Sequence, residues 1–256
     1  LEIVTKDLRL AFAKTGEAWA LTSPVAARAD QGQVQGAIGS LQTLAMKSIA
    51  APEATEQDLA KYGLDKPELT ATIGAGSTRA TLAVGKTDEN GNVFARDVAG
   101  PMVVTIDPSL INALRNTPDS FRPKDVFEFR SFTASRLEVA RGASTAVFER
   151  VTAKDGTTKW QRLNPAKDVE AAAMDALLSA LSGLSVDSYV DAGTKTGADA
   201  PAAVVTAGFD DATKTERGVF GRAGSDVFAV RDGEPGAAKV DAAKFDDAMK
   251  ALDAIK

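Results

Sequence analysis

The sequence predicts an α+β fold made of two tandem repeats, each an antiparallel β-sheet packed with one longer amphipathic helix and a short closing helix. Three observations carry that reading. Trp19-Ala-Leu-Thr-Ser-Pro24 returns as Trp160-Gln-Arg-Leu-Asn-Pro165, and these hold the chain's two tryptophans. Each segment precedes an apolar stripe at helical spacing: Val34, Ile38, Leu41 and Leu44 in the first half, Met174, Leu178, Leu181 and Leu184 in the second. The later landmarks keep the same order, with Pro67 against Pro201, Gly85-Lys86 against Gly221-Arg222, and Val93-Phe94-Ala95 against Val227-Phe228-Ala229. The shared positions are apolar or turn-forming, which is how a retained core looks rather than a retained catalytic set.

The elements follow in order. Residues 1–13 alternate apolar and polar, as strands do, and Leu1-Glu2-Ile3 matches Leu137-Glu138-Val139, which puts the start of the sequence inside a strand. Thr15-Gly16-Glu17 is a turn into a strand over Trp19–Thr22. Asp30 is placed as the cap of a helix running to about Ala45. A strand is expected over 47–51, and Thr55-Glu-Gln-Asp58 reads as a capping box for a short helix ending at Gly63. Strands at 69–73, 79–84, 93–97 and 102–106 follow, with Asn90-Gly91 as a hairpin turn and Asp107-Pro108 opening the closing helix. In the second half, strands are expected at 136–141, 145–151 and 159–163, a helix from Asp168 to Leu181, strands at 185–190, 202–209, 215–221, 226–231 and 238–240, and a helix over 242–255. The domain boundaries predicted are 1–118 for repeat one, 119–131 for a proline-stiffened connector, and 132–256 for repeat two. Val126-Phe127-Glu128-Phe129 within the connector reads as a buried edge or strand, so the halves are expected to pack together.

Composition narrows the chemistry. With 256 residues, 44% hydrophobic and 25% charged, the chain can bury a core and stay in solution. A net charge of -5 argues against a nucleic-acid partner. No apolar run approaches the roughly 20 residues a bilayer span requires. Residues 1–20 are charged throughout and strand-like, so they read as no signal peptide, and a first residue of Leu1 rather than Met reads as a trimmed fragment. Histidine and cysteine are both absent, which excludes Ser-His-Asp and Cys-His catalysis, disulfides and the usual zinc sites.

Individual motifs give way to structural readings. Gly85-Lys86-Thr87 lacks the glycine a phosphate loop needs five residues earlier, where Ala80 stands, and it runs into a hairpin rather than a helix. The loop Asp88–Asn92 has Val93 and Ala99 where a calcium loop would place glycine and a bidentate acid. Asp210-Asp211 and Asp246-Asp247 are sequence neighbours that diverge, so they do not form an acid/base pair. Trp19 and Trp160 read as core anchors between sheet and helix. No catalytic, cofactor-binding or metal residue is assigned.

Taken as an ordered set, Trp19-x-Leu-x-x-Pro24, Ala29-Asp30, Lys61-Tyr-Gly-Leu-Asp-Lys-Pro-Glu68 and Val84-Gly-Lys-Thr-Asp88 resemble the bacterial domain of unknown function 4340, over nearly the whole chain. The resemblance implies an extracytoplasmic protein at the periplasmic face of the inner membrane, held by an N-terminal membrane anchor. It implies partners among envelope or ABC-transporter proteins of the gliding-motility type, and supplies no catalytic residues or cofactors. The expected function is therefore a non-enzymatic accessory or scaffold module. The alternative is a glycan- or lipid-binding module using a groove between the repeats, with Phe127, Phe129 and Tyr189 as its candidate lining. A hydrolase working with carboxylates alone ranks last.

Overall fold

The computed structural model describes residues 1–255, which divide into two compact units, one over 1–122 and one over 123–255. Of the connector expected over 119–131, the first four residues thus fold with the first unit and the rest with the second.

The first unit runs β1 (Glu2–Thr5), β2 (Arg9–Thr15), β3 (Ala18–Ser23), β4 (Ala27–Arg28), α1 (Gln31–Gln42), β5 (Met46–Ala51), α2 (Glu56–Tyr62), β6 (Leu69–Ala75), β7 (Thr78–Thr87), β8 (Val93–Asp97) and β9 (Val103–Ile106), then 3₁₀ turns at Pro108–Arg115 and Pro118–Phe121. The second runs β10 (Ala134–Arg141), β11 (Ser144–Thr152), β12 (Thr158–Leu163), β13 (Ala166–Val169), α3 (Ala171–Ser182), β14 (Val186–Val190), β15 (Ala203–Phe209), β16 (Lys214–Ala223), β17 (Asp226–Arg231), β18 (Ala237–Val240) and α4 (Ala242–Ala254). Each unit holds one nine-stranded sheet, ordered β4-β3-β2-β1-β6-β7-β8-β9-β5 and β13-β12-β11-β10-β15-β16-β17-β18-β14. Every pairing is antiparallel, and replacing each strand of the first order by its counterpart yields the second.

The agreement extends to register. Ile3 faces Ala71 and Leu82 faces Asp97 in the first sheet, as Val139 faces Val205 and Gly218 faces Arg231 in the second. β5 pairs with β9 through Met46–Ile106 and then slips by one before Ser48; β14 pairs with β18 through Val186–Val240 and slips before Ser188. A shared irregularity of this kind is a stronger mark of duplication than shared apolar positions, because it has no role in burying a core. The turns after both tryptophan strands also agree, each carrying a cis peptide, at Ser23-Pro24 and Asn164-Pro165.

Local chemistry explains the helix starts and shows two departures from expectation. The Asp30 side chain accepts the Gln33 N–H, satisfying a donor that the first turn leaves free. The Thr55–Asp58 capping box forms in full at α2, and Gly63 ends that helix at φ +73°. Asp168, expected to cap α3, lies instead in β13, where it receives Lys159 Nζ at 2.6 Å and Gln161 Nε2 at 2.7 Å. The residue at the cap is Glu170, which makes no side-chain capping bond. α3 is held by burial rather than by its cap: Met174, Leu177, Leu178 and Leu181 are all enclosed, at roughly 1.5–3 kcal/mol each. The closing segment of the first unit, expected as a short helix, is a 3₁₀ helix throughout.

The second unit has one continuous core, joining α3 and α4 to the inner face of its sheet. The first unit has two. α1 and the 3₁₀ turns cover one face. On the other, α2 packs Leu59, Tyr62 and Leu64 against Ala83, Phe94 and Val103. The two-residue alternation of β7 to β9 serves both, with Val84 and Ala95 on the first face and Ala83 and Phe94 on the second.

Candidate functional site

The motifs that single out this chain meet at a backbone seam. Gly85 lies inside β7, and a side chain there would place its Cβ 2.3 Å from the Tyr62 carbonyl oxygen and 3.2 Å from the Gly63 carbonyl carbon. Only glycine allows β7 to run so close under the end of α2. Lys86 then lays its stem across Gly63 and points its ammonium at the Ala60 and Lys61 carbonyls, 3.4 Å from each, where the negative C-terminal end of α2 attracts a cation. The second unit repeats the seam without the helix. Gly197, at φ +73°, sits over Gly221, whose Cβ would lie 2.4 Å from the Thr196 oxygen. Arg222 takes the place of Lys86 and pairs with Asp246. Gly85-Lys86-Thr87 is therefore strand, with its close approach used by the chain's own backbone and no helix N-terminus following.

The acidic stretches serve their own turns. Burial disfavours the charged Asp88 carboxylate, but hydrogen bonds from the Asn92 side chain and backbone and from the Asn90 backbone outweigh it and hold its pKa below the usual value. Asp107 is held lower still, chiefly by the Ser109 hydroxyl and by Lys47 at 2.9 Å. Asp210, Asp211 and Ala212 form a left-handed turn between β15 and β16. Among the described residues, no three Asp, Glu, His or Cys side chains converge to hold a metal ion.

The tryptophans diverge. Trp160 is buried in the core of the second unit, whereas Trp19 is only half-buried. It lines a cavity of about 340 Å³ with Phe12, Lys14, Thr72 and Arg79, and its Nε1 is enclosed with no acceptor among the described residues.

The candidate residues Phe127, Phe129 and Tyr189 all belong to the second unit, and the structure brings them to one feature. Residues 123–129 lie as an extended segment along the free edge of β14 and across the end of α3. Val126 N–H donates to the Leu184 carbonyl at 3.0 Å, and Val186 N–H donates to the Lys124 carbonyl at 2.7 Å. Asp125 bridges Ser185 in antiparallel fashion. The Tyr189 hydroxyl donates to the Pro123 carbonyl at 2.6 Å. Phe127 and Phe129 are fully enclosed in that unit's own core, their rings 5.3 Å apart, so they fill a groove rather than line an open one.

Sequence reading missed the polar clamp on this segment. Glu216, almost fully buried on β16, accepts the Glu128 N–H at 3.0 and 2.9 Å and the Phe129 N–H at 3.1 Å, and pairs with Arg231 Nη2 at 2.9 Å. Arg231 Nη1 donates to the Val126 carbonyl. The available signal was a Glu at a position that the β16 alternation turns toward the core, since a buried carboxylate requires partners.

The family model described as Domain of unknown function (DUF4340) matches residues 19–210. The chain belongs to this family. The DUF4340 match opens on Trp19 and closes at the β15–β16 turn, so it takes in the tryptophan segments of both units and the glycine seam of the first, and ends before Gly221. The match thus covers the first unit from β3 onward and the second as far as β15. Comparison with curated proteins finds no match, and neither does comparison with solved structures.

Proposed function

We propose that the protein is a non-enzymatic, extracytoplasmic accessory or scaffold module of a bacterial envelope or ABC-transporter-type complex, tethered to the inner membrane through an N-terminal anchor. The observation that carries this reading is what the duplication preserves. Strand order, register slips, glycine seams and tryptophan turns agree between the units. The polar clamp does not: Glu216 and Arg231 have Ala80 and Asp97 as ladder counterparts. Two copies kept for backbone geometry, with divergent polar groups, suit a module that offers shape to a partner. A chain without histidine or cysteine has few ways to perform acid–base or nucleophilic chemistry near neutral pH. Membership of DUF4340 is compatible with this role. Among the described residues, no helix is long and apolar enough to cross a membrane.

The test is proximity labelling in the native host, with a labelling enzyme fused to the C-terminus of the full-length protein. The expected result is enrichment of inner-membrane transporter or envelope subunits over a secreted control. Enrichment of cytoplasmic proteins alone would overturn the proposal.

A further inference from the structure

The second unit holds a cavity of about 250 Å³ at positions whose counterparts in the first unit are closed core. Val139, Ala146 and Phe148 on β10 and β11, Arg162 on β12, and Leu252 and Ile255 at the end of α4 line it. The ladders give the counterparts. Ile3 faces Leu10 as Val139 faces Ala146, and Phe12 faces Leu21 as Phe148 faces Arg162. Ile3, Leu10 and Leu21 are each 1% exposed. Alanine at 146 and valine at 139 take side-chain volume out of that arrangement. In the first unit Phe121 closes over Phe12, their ring centres 4.9 Å apart, whereas the aliphatic Leu252 and Ile255 stand on the cavity wall with Phe148. The space is thus made by residues on β10 to β12, well inside the chain.

The third difference is one of kind. Arg162 stands where Leu21 is core, on the face of β12 that also buries Trp160. It is partly buried, its Nε is enclosed without an acceptor, and it forms no ion pair among the described residues. A guanidinium drawn out of water calls for an anion. Asp253, which also lines the cavity, does not serve, because both terminal nitrogens of Arg141 engage it.

We infer that this cavity binds a small amphipathic carboxylate, with its carboxylate group on Arg162 and its short aliphatic chain against Ala146, Phe148, Leu252 and Ile255. The planar guanidinium offers paired N–H donors that match a carboxylate. A single unpaired cation balances a single negative charge, so a monocarboxylate suits the site better than a phosphate monoester, whose further charge would lie near Asp253. Apolar walls with one placed polar group are how a small ligand is both held and oriented. The site lies within the second unit and goes beyond the scaffold reading, which does not depend on it.

The probe is sodium hexanoate, titrated into the full-length protein and followed by isothermal titration calorimetry, with hexanol as the neutral analogue. Saturable one-to-one binding of hexanoate is expected, with hexanol at least about tenfold weaker. Arg162→Leu restores the residue of the first unit, and Ala146→Leu restores the bulk of Leu10 while keeping the cation. Each is expected to leave the circular dichroism spectrum unchanged and to weaken hexanoate binding at least about tenfold. Phe132→Ser, at an exposed position of the same unit, is expected to bind as wild type does. Absence of saturable binding, equal affinity for hexanoate and hexanol, or undiminished binding by either cavity variant overturns the inference.

Discussion

Gly85→Ala sets two effects against each other. Alanine is preferred to glycine inside a strand by up to about 1 kcal/mol, because it gives up less backbone freedom on folding. Against this, the new Cβ would stand 2.3 Å from the Tyr62 oxygen and 3.2 Å from the Gly63 carbon, both of them backbone. Relief requires the α2 end and β7 to separate by about 1 Å, which breaks the Leu59–Tyr62–Ala83 packing; overpacking of this kind costs about 3 kcal/mol at the upper end of its usual range. The net is a loss of about 2 kcal/mol, or a fall in Tm of roughly 8 °C for a unit of this size. Gly74→Ala in β6 is the matched control, since its Cβ would meet nothing closer than 3.6 Å and its backbone needs no positive φ; it is expected to hold or raise Tm. Gly221→Ala is expected to mirror Gly85→Ala. Differential scanning calorimetry of the full chain reads all three. A Gly85→Ala protein melting at or above wild type would refute the steric account of the seam.

Glu216→Ala leaves the Glu128 and Phe129 amides without their acceptor and the largely buried Arg231 with only Glu234 and the Val126 carbonyl, and is expected to cost about 3 kcal/mol in urea unfolding, with Glu216→Ala/Arg231→Ala less costly than additivity requires. Thr55→Ala removes the α2 cap, a loss of about 1 kcal/mol measurable by the same method. The Thr55 N–H and hydroxyl hold the Asp58 pKa below its ordinary value, so the capping contribution is complete above the normal carboxylate range and is lost as pH falls through the lowered pKa; amide exchange of α2 followed down to acid pH reads this, and Thr55→Ala is expected to flatten the dependence. Gly36→Ala, at an exposed α1 site where a Cβ meets nothing within 4 Å, is expected to raise stability by up to about 1 kcal/mol.

Much of the architecture was legible because duplication writes each constraint twice. The tryptophan turns, the helical stripes and the Asn90-Gly91 hairpin are local signals with a single structural solution. Asp168 misled because Asp is common at helix starts, and only the strand pairing of Ala166–Val169 with β12 shows where α3 begins. The 3₁₀ closing turn of the first unit was hidden because its apolar spacing suits either helix. The cover over the end of α3 was invisible for a different reason. Leu41 and Leu44 carry the same periodicity as Leu181 and Leu184, and periodicity says which face seeks cover, not whether a segment arrives to provide it. That depends on residues 123–129, which are remote in sequence from the stripe they cover. Val126-Phe127-Glu128-Phe129 was readable as buried strand; which stripe it covers was not.

The account turns on one fold copied twice, with the β14 edge covered by residues 123–129 in the second copy and the β5 edge covered by no described residue in the first. Native-state hydrogen exchange at two amides tests this most directly. Val186, bonded to the Lys124 carbonyl, is expected to exchange only through opening of its unit, while Met46 exchanges at close to the free-peptide rate. Equal protection at the two amides would contradict the account.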